Sequence, residues 1–169
     1  VNDNVIEMLG TIVEYRNLEN RNHIRKVAGF TEILANQMME RYPEYGLTPE
    51  KIKVIVSVSV LHDIGKILIR DSVLLKPGKL TSEEKEYVRS HTLRGFEIAD
   101  SITEAWGKEY QQCCREITRS HHERYDGKGY PDGLRGDEIP ISAQIVSIAD
   151  CYESLISENF YKNAVSYDE

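Results

Sequence analysis

The residues able to do chemistry are five histidines, His23, His62, His91, His121 and His122, each near a helix end or on a core-facing stripe beside acidic residues. His62 and Asp63 close a buried apolar run and are followed by Gly65 and Lys66, so an imidazole, a carboxylate and an ammonium leave the core together. Adjacent helical residues diverge by about 100°. Such a pair cannot form one flat chelate, but it can reach two neighbouring cations with the carboxylate bridging them. His121-His122 repeats the device, and Asp150 adds a carboxylate from the last helix. Glu19 lies four residues before His23, which puts both on one side of a helix that begins early enough. All these donors are nitrogen or oxygen, suited to iron, manganese, zinc or nickel rather than thiolate-seeking ions. Two or three such divalent cations lower the pKa of a bridging water and clamp phosphoryl oxygens, as in-line hydrolysis of a phosphodiester requires. Lys66 would then neutralise the charged transition state or assist the leaving oxygen. One core histidine alone is more often a packing residue than a ligand, and one lysine more often complements a helix dipole. The joint spacing carries the metal reading.

The elements that must position these groups are helical by periodicity almost throughout. Val5, Ile6, Leu9, Ile12 and Val13 make one apolar face behind an Asp3 cap, and Val27, Phe30, Leu34 and Met38 continue a stripe that starts at His23. Thr48-Pro49 is a helix start. The valine-rich run 52–61 fits either a strand or a buried helix, and helical neighbours with no second strand pattern favour the helix. Residues 67–79 read as an ordered loop with a turn at Lys76-Pro77-Gly78. Thr81 and Glu84 form a capping box that places His91 about three turns into the following helix. Tyr110, Cys114, Ile117 and His121 share a face, and Ser142 caps a helix carrying Val146, Ala149, Asp150 and Tyr152. Between them, residues 126–137 hold four glycines and one proline and form a loop. That stretch is long for a plain connector, and its Tyr130-Pro131 tip suggests the lip of a pocket. The architecture expected is an all-α bundle, with the helix ends and the long loop sharing one mouth.

Composition narrows the classes. The 169 residues fit one domain, read here as 1–169, with an ordinary core. A formal charge of −7 argues against a surface that tracks long nucleic acid, while leaving room for a small phosphorylated ligand held by metals. No apolar run approaches the roughly 18 residues of a membrane span, so no membrane insertion is expected of this segment. Cys113, Cys114 and Cys151 are odd in number and read as core thiols in a reducing cytosol. The missing initiator Met and the stop at Glu169 directly after a helical pattern suggest a segment cut from something longer, such as the output domain of a sensor protein.

His62-Asp63-Ile64-Gly65-Lys66, followed by His121-His122-Glu123, Asp126-Gly127 and Gly129-Tyr130-Pro131, resembles the HD-GYP phosphodiesterases. The likeness extends from Glu19 and His23 through Lys76-Pro77-Gly78-Lys79-Leu80-Thr81, His91 and Ile139-Pro140 to Ala149-Asp150, most of the chain. It implies an all-α HD fold, a helical bundle with a metal centre at its core and the Gly-rich loop over it. It also implies a binuclear or trinuclear centre, usually of iron or manganese with zinc, nickel or magnesium as alternatives. The activity implied is hydrolysis of cyclic di-GMP to linear pGpG or GMP. By position, the implied ligands are His23, His62, Asp63, His91, His121, His122 and Asp150, with Glu19 for a third metal. Asp63 and Lys66 are the implied catalytic groups. Lys66 also matches a phosphate-contacting lysine, while Gly129, Tyr130 and Pro131 match a loop that lines the substrate pocket and meets diguanylate cyclase domains.

The chain departs from the family pattern near its end. Asn159 stands where an arginine that touches phosphate is usual, with Lys162 as a partial substitute, and Glu153-Ser154 replaces Asp-Ala in a mild change away from the metals. The segment is expected to lack the final helices common in the family. The intact ligand set favours an active hydrolase. The lost arginine favours the alternative, a catalytically weak cyclic-dinucleotide receptor or a docking module for cyclase domains.

Overall fold

The computed structural model describes residues 3–17 and 22–157, and among these it places eight α-helices and no strand. They are α1 (Asp3–Arg16), α2 (His23–Arg41), α3 (Pro49–Ser59), α4 (Asp71–Leu74), α5 (Ser82–Arg89), α6 (His91–Ile102), α7 (Lys108–Ser120) and α8 (Ile141–Ile156), joined by short 3-10 turns. The run 52–61 is helical. Thr48 accepts the Lys51 N–H on its hydroxyl, Pro49 takes the first helical position, and α3 buries Ile52, Val54, Ile55 and Val58. Helices α2 and α7 both pack on α3, α8 packs on α2 and α7, and α6 lies along α7. One apolar core drawn from α1, α2, α3, α6, α7 and α8 runs through them.

Two glycines bring α6 close enough to matter for function. A Cβ at Gly65 would lie 1.8 Å from the His91 carbonyl oxygen and 2.5 Å from the Gly95 nitrogen, so only a bare backbone lets the 3-10 turn Ile64–Leu68 touch α6. That contact sets His91 beside Asp63. On the far side of the turn, Arg16 at the end of α1 donates to the carbonyl of Lys66 at 2.6 Å and to that of Ile69, and pairs with Asp71 at 2.7 Å. The guanidinium straps down the chain leaving the site.

Several local expectations change. The stretch 67–79 is not a plain loop, since it contains the end of the 3-10 turn and all of α4. His91 is not three turns into a helix. The Thr81 capping box is present, but α5 ends at Arg89 and His91 opens α6, because the Ser90 hydroxyl donates to the Tyr87 carbonyl and the Ser90 N–H bonds back to Glu86 and Val88. Pro140, not Ser142, occupies the N-cap of α8. The Ser142 hydroxyl instead donates to Glu116 at 2.6 Å, tying α8 to α7. Asp3, the first of the described residues, is itself helical, and its carboxylate accepts from the Ser57 hydroxyl. The buried face of α1 is Ile6, Gly10 and Val13; Val5 and Ile12 face outward, as the helix rests on α3 through a narrow stripe. Cys113 and Cys114 are core thiols, but Cys151 is exposed, because Asp150 and Glu153 take the inner face of α8 at that level.

Burial pushes the Cys114 thiol up to about 12 and holds that of Cys113 well above its usual range. An aromatic disulfide reagent should therefore titrate Cys151 alone in the native protein and the other two only on unfolding; three fast thiols would contradict the packing of α7. Gly65→Ala should lower stability by roughly 3 kcal/mol or more in denaturant melts, since the clash is with main chain that cannot turn aside. A change below about 1 kcal/mol would show that the close approach is not real.

Candidate metal centre

His23, His62, His91 and His121 are each aimed by a bond to Nδ1 at the rear of the ring. His62 Nδ1 donates to the Ser59 carbonyl at 2.8 Å, His91 Nδ1 to that of Val88 at 2.8 Å, and His121 Nδ1 to that of Ile117 at 2.9 Å. A carbonyl only accepts, so the ring hydrogen must sit on Nδ1, and each neutral imidazole presents a bare Nε2 lone pair. These residues follow helical turns whose terminal carbonyls have acceptor capacity to spare. His23, the first residue of α2, donates through Nδ1 to Glu153 on α8 instead.

The bare nitrogens converge in two groups. Asp63, His91, His121 and His122 form one and His23, His62 and Asp150 the other, the donor atoms of each lying within 4.8 Å of one another. Asp63 stands between them. Its Oδ1 lies 3.1 Å from His91 Nε2 and 3.6 Å from His121 Nε2, while its Oδ2 lies 3.4 Å from His62 Nε2. Asp150 Oδ1 is 3.3 Å from His23 Nε2 and 3.7 Å from His62 Nε2. His91 Nε2 and His121 Nε2 are 3.4 Å apart, two lone-pair atoms facing each other beside a carboxylate oxygen. His62 Nε2 and Asp63 Oδ1 are buried with no hydrogen-bond partner among the described residues. Buried acceptors that face only acceptors are costly. A divalent cation relieves them, and this nitrogen and oxygen set fits such an ion.

The charges have the same logic. Burial works against ionising Asp63, yet Lys66, with Nζ 2.6 Å from its Oδ2, and His62 hold its carboxyl well below the usual range. Burial likewise opposes charge on Asp150, and His23 and His62 outweigh it to hold that carboxyl low. His121 is pushed down by burial, and His122 is pushed down to about 2 by burial and by His121, so both rings are neutral donors at pH 7. At His62 burial disfavours the charged ring, but Asp63 and Asp150 outweigh it and raise its pKa. Without a metal, a proton there is what this pair of carboxylates attracts.

The loop after α7 folds back over the site. Tyr130 stacks on His122 with ring centroids 4.8 Å apart, and the Arg89 guanidinium lies 5.0 Å from the Tyr130 ring centre. Tyr130 N–H donates to the His122 carbonyl, and a Cβ at Gly129 would come within 2.5 Å of that same oxygen, so a glycine is needed for the loop to lie this close. The buried Glu123 carboxylate accepts the N–H groups of Asp132, Gly133 and Leu134 at 2.7, 3.1 and 3.0 Å. Arg119 fixes the same segment through both oxygens of Asp132.

A family model described as HD domain matches residues 25–169. The chain belongs to the HD domain family. Its relatives include a cyclic di-GMP phosphodiesterase of Thermotoga maritima, 39% identical over 98% of this chain and 42% of that protein. A probable cyclic di-GMP phosphodiesterase of Vibrio cholerae is 38% identical over 99% of this chain and 38% of that protein. A 3'3'-cGAMP-specific phosphodiesterase of the same organism is 39% identical over 92% of this chain and 28% of that protein. The chain thus spans less than half the length of each of these relatives.

Seven of the eight ligand candidates read from the sequence of this HD domain meet in the site: His23, His62, Asp63, His91, His121, His122 and Asp150. Glu19, Asn159 and Lys162 lie outside the described residues. The helix expected to carry Glu19 and His23 on one side starts only at His23, after Asn22 at φ 77°. Glu153 is a correction. The position is not remote from the proposed metal ligands, since Glu153 is buried and holds the back of His23. Its position three residues after Asp150, one turn along the same helix face, was the available signal. Glu123 stood in the quoted motif without a role, and Arg16 was missed, since each holds main chain beyond its own helical turn.

Metal-stripped protein should melt lower than protein given Mn²⁺, with each ion at 100 times its Kd adding about 2.7 kcal/mol. An unchanged melting temperature across a titration to millimolar metal would show that the facing lone pairs do not take a cation.

Proposed function

We propose that this HD domain is a metal-dependent phosphodiesterase that hydrolyses a cyclic dinucleotide, with cyclic di-GMP the first candidate and 3'3'-cGAMP the second. The observation that carries the reading is Asp63, which presents one oxygen to each of two groups of bare imidazole nitrogens. That is a donor set for adjacent cations with a shared carboxylate, and the relatives named above act on those two substrates. Iron or manganese, held by His23, His62, Asp63, His91, His121, His122 and Asp150, would supply Lewis acidity toward phosphoryl oxygens and a water of lowered pKa.

The chain's own groups do the rest. Asp63 keeps both halves of the cluster in register and carries its negative charge at neutral pH. Lys66 is already held at the cluster by Asp63, 2.6 Å away, so its ammonium lies where a substrate phosphate would enter, and neutralising that phosphate is its proposed role. Gly129, Tyr130 and Pro131 form the lip, with the Tyr130 phenol pushed up by burial and therefore neutral, a donor and a stacking face rather than an anion. Glu123 fixes that lip by main-chain bonds and leaves the Tyr130 ring to face the site.

The test is turnover of cyclic di-GMP and 3'3'-cGAMP by anaerobically purified, metal-counted protein. His62→Ala and Asp63→Ala should each lower kcat by about a thousandfold or more, since the first removes a ligand of one donor group and the second the carboxylate that faces both. Tight binding of either nucleotide by metal-replete protein with no product would replace the hydrolase with a receptor.

A further inference from the structure

His23 is oriented by a different device from its neighbours. At His62, His91 and His121 the Nδ1 hydrogen goes to a main-chain carbonyl three or four residues earlier, which any histidine just after a helical turn finds at hand. His23 opens α2, and Asn22 before it is left-handed at φ 77°, so His23 does not follow a continuous helical turn as the other three do. Its partner comes from the other end of the fold. Glu153 on α8 accepts the Nδ1 hydrogen through Oε2, and its Oε1 accepts from the Ser157 hydroxyl and from Lys26 Nζ at 3.3 Å. Lys26 also reaches the Ser157 hydroxyl at 2.9 Å, closing a small network one helical turn from His23. Glu153 is 2% exposed, so its charge is not screened by solvent.

We propose that Glu153 is a positioning residue for the cation bound by His23, His62 and Asp150, acting through the His23 ring. Resting on the metal-centre reading above, the proposal divides the cluster into two ends with different support. In the Asp63, His91, His121 end, neutral carbonyls behind His91 and His121 fix those rings. In the other end, a carboxylate behind His23 fixes the tautomer and also donates electron density, making Nε2 a stronger donor than a carbonyl partner would. Because Glu153 and Asp150 ride on one turn of α8, the same helix supplies a ligand and the support of another ligand. Cation affinity at this end therefore depends on how α8 seats against α2, and at the other end it does not.

The experiment is metal titration of the stripped full chain with Mn²⁺ or Zn²⁺ in competition with a chromophoric chelator. Wild-type protein should show two classes of site. Glu153→Gln, which keeps the shape and removes the charge, should weaken one class about 10- to 100-fold and leave the other within about twofold. His23→Ala should abolish that same class, and adding Glu153→Gln to it should cause no further loss, as expected for residues acting through one another. The metal-free melting temperature of Glu153→Gln should stay near that of wild type. No cation bound by wild type would sink the metal centre itself. Two intact classes in Glu153→Gln would overturn only the role of Glu153. A second measurement does not depend on that variant folding: in wild-type protein with ¹⁵N-labelled histidines and bound Zn²⁺, the His23 ring, assigned by its loss in His23→Ala, should carry its proton on Nδ1. The opposite tautomer would overturn the proposal.

Discussion

Lone pairs turned toward lone pairs in a buried space are the constraint around which this helical domain is arranged. His91 Nε2 and His121 Nε2 face each other 3.4 Å apart beside Asp63, and His62 Nε2 has no partner at all among the described residues. Desolvated acceptors in such an arrangement repel, and the folded state holds them there only because other contacts keep each ring from turning away. Those contacts are the Nδ1 bonds at the rear of the rings, which leave the front nitrogens no hydrogen to share. Positive charge relieves this crowding; Lys66 at Asp63 supplies part of it, and a cation between the groups would supply the rest.

Holding the rings requires close approach of main chain. Gly65 and Gly95 let a 3-10 turn meet α6 without side chains between them, which converts two separate helix ends into one wall of the site. Gly129 does the same for the loop, which lies on His122 and Glu123 closely enough for Tyr130 to stack on the His122 ring. Glu123 accepts three consecutive N–H groups and so uses one buried carboxylate to stiffen a turn-rich segment that has few apolar contacts of its own. The result is a lip whose position is set by main-chain bonds, so the side chains at its tip are free to serve a ligand.

The net charge of −7 would have to be reconciled at this mouth with the anionic character of the proposed cyclic dinucleotide substrate. Carboxylates dominate the chain as a whole, but the groups near the loop include Lys66 and the Arg89 guanidinium over Tyr130. Charges held at the mouth act on a ligand there more strongly than distant surface carboxylates, because screening weakens the distant charges more than the near ones.

The all-α class, the helix starts at Thr48 and Thr81 and the loop at 126–137 were legible in the sequence, since each depends on residues within a turn or two of one another, whereas the ligand candidates, spread from Glu19 to Asp150, came from short motifs and the family likeness. Periodicity, caps and short motifs are local properties and survive without tertiary context. The break at Ser90, which moves His91 from a helix interior to a helix start, has no proline or glycine to announce it and coincides with the bonds of the Ser90 hydroxyl and N–H to preceding carbonyls. The outward turn of Val5, Ile12 and Cys151 and the inward turn of Glu153 were likewise decided by which face of α1 and α8 met the bundle. Residue types announced that nitrogen and oxygen donors were present at spacings able to share a cation. Only the assembled fold decided that Asp63 stands between two groups and that a carboxylate 130 residues away holds His23, because distances between remote helices come from packing the core and not from any local pattern.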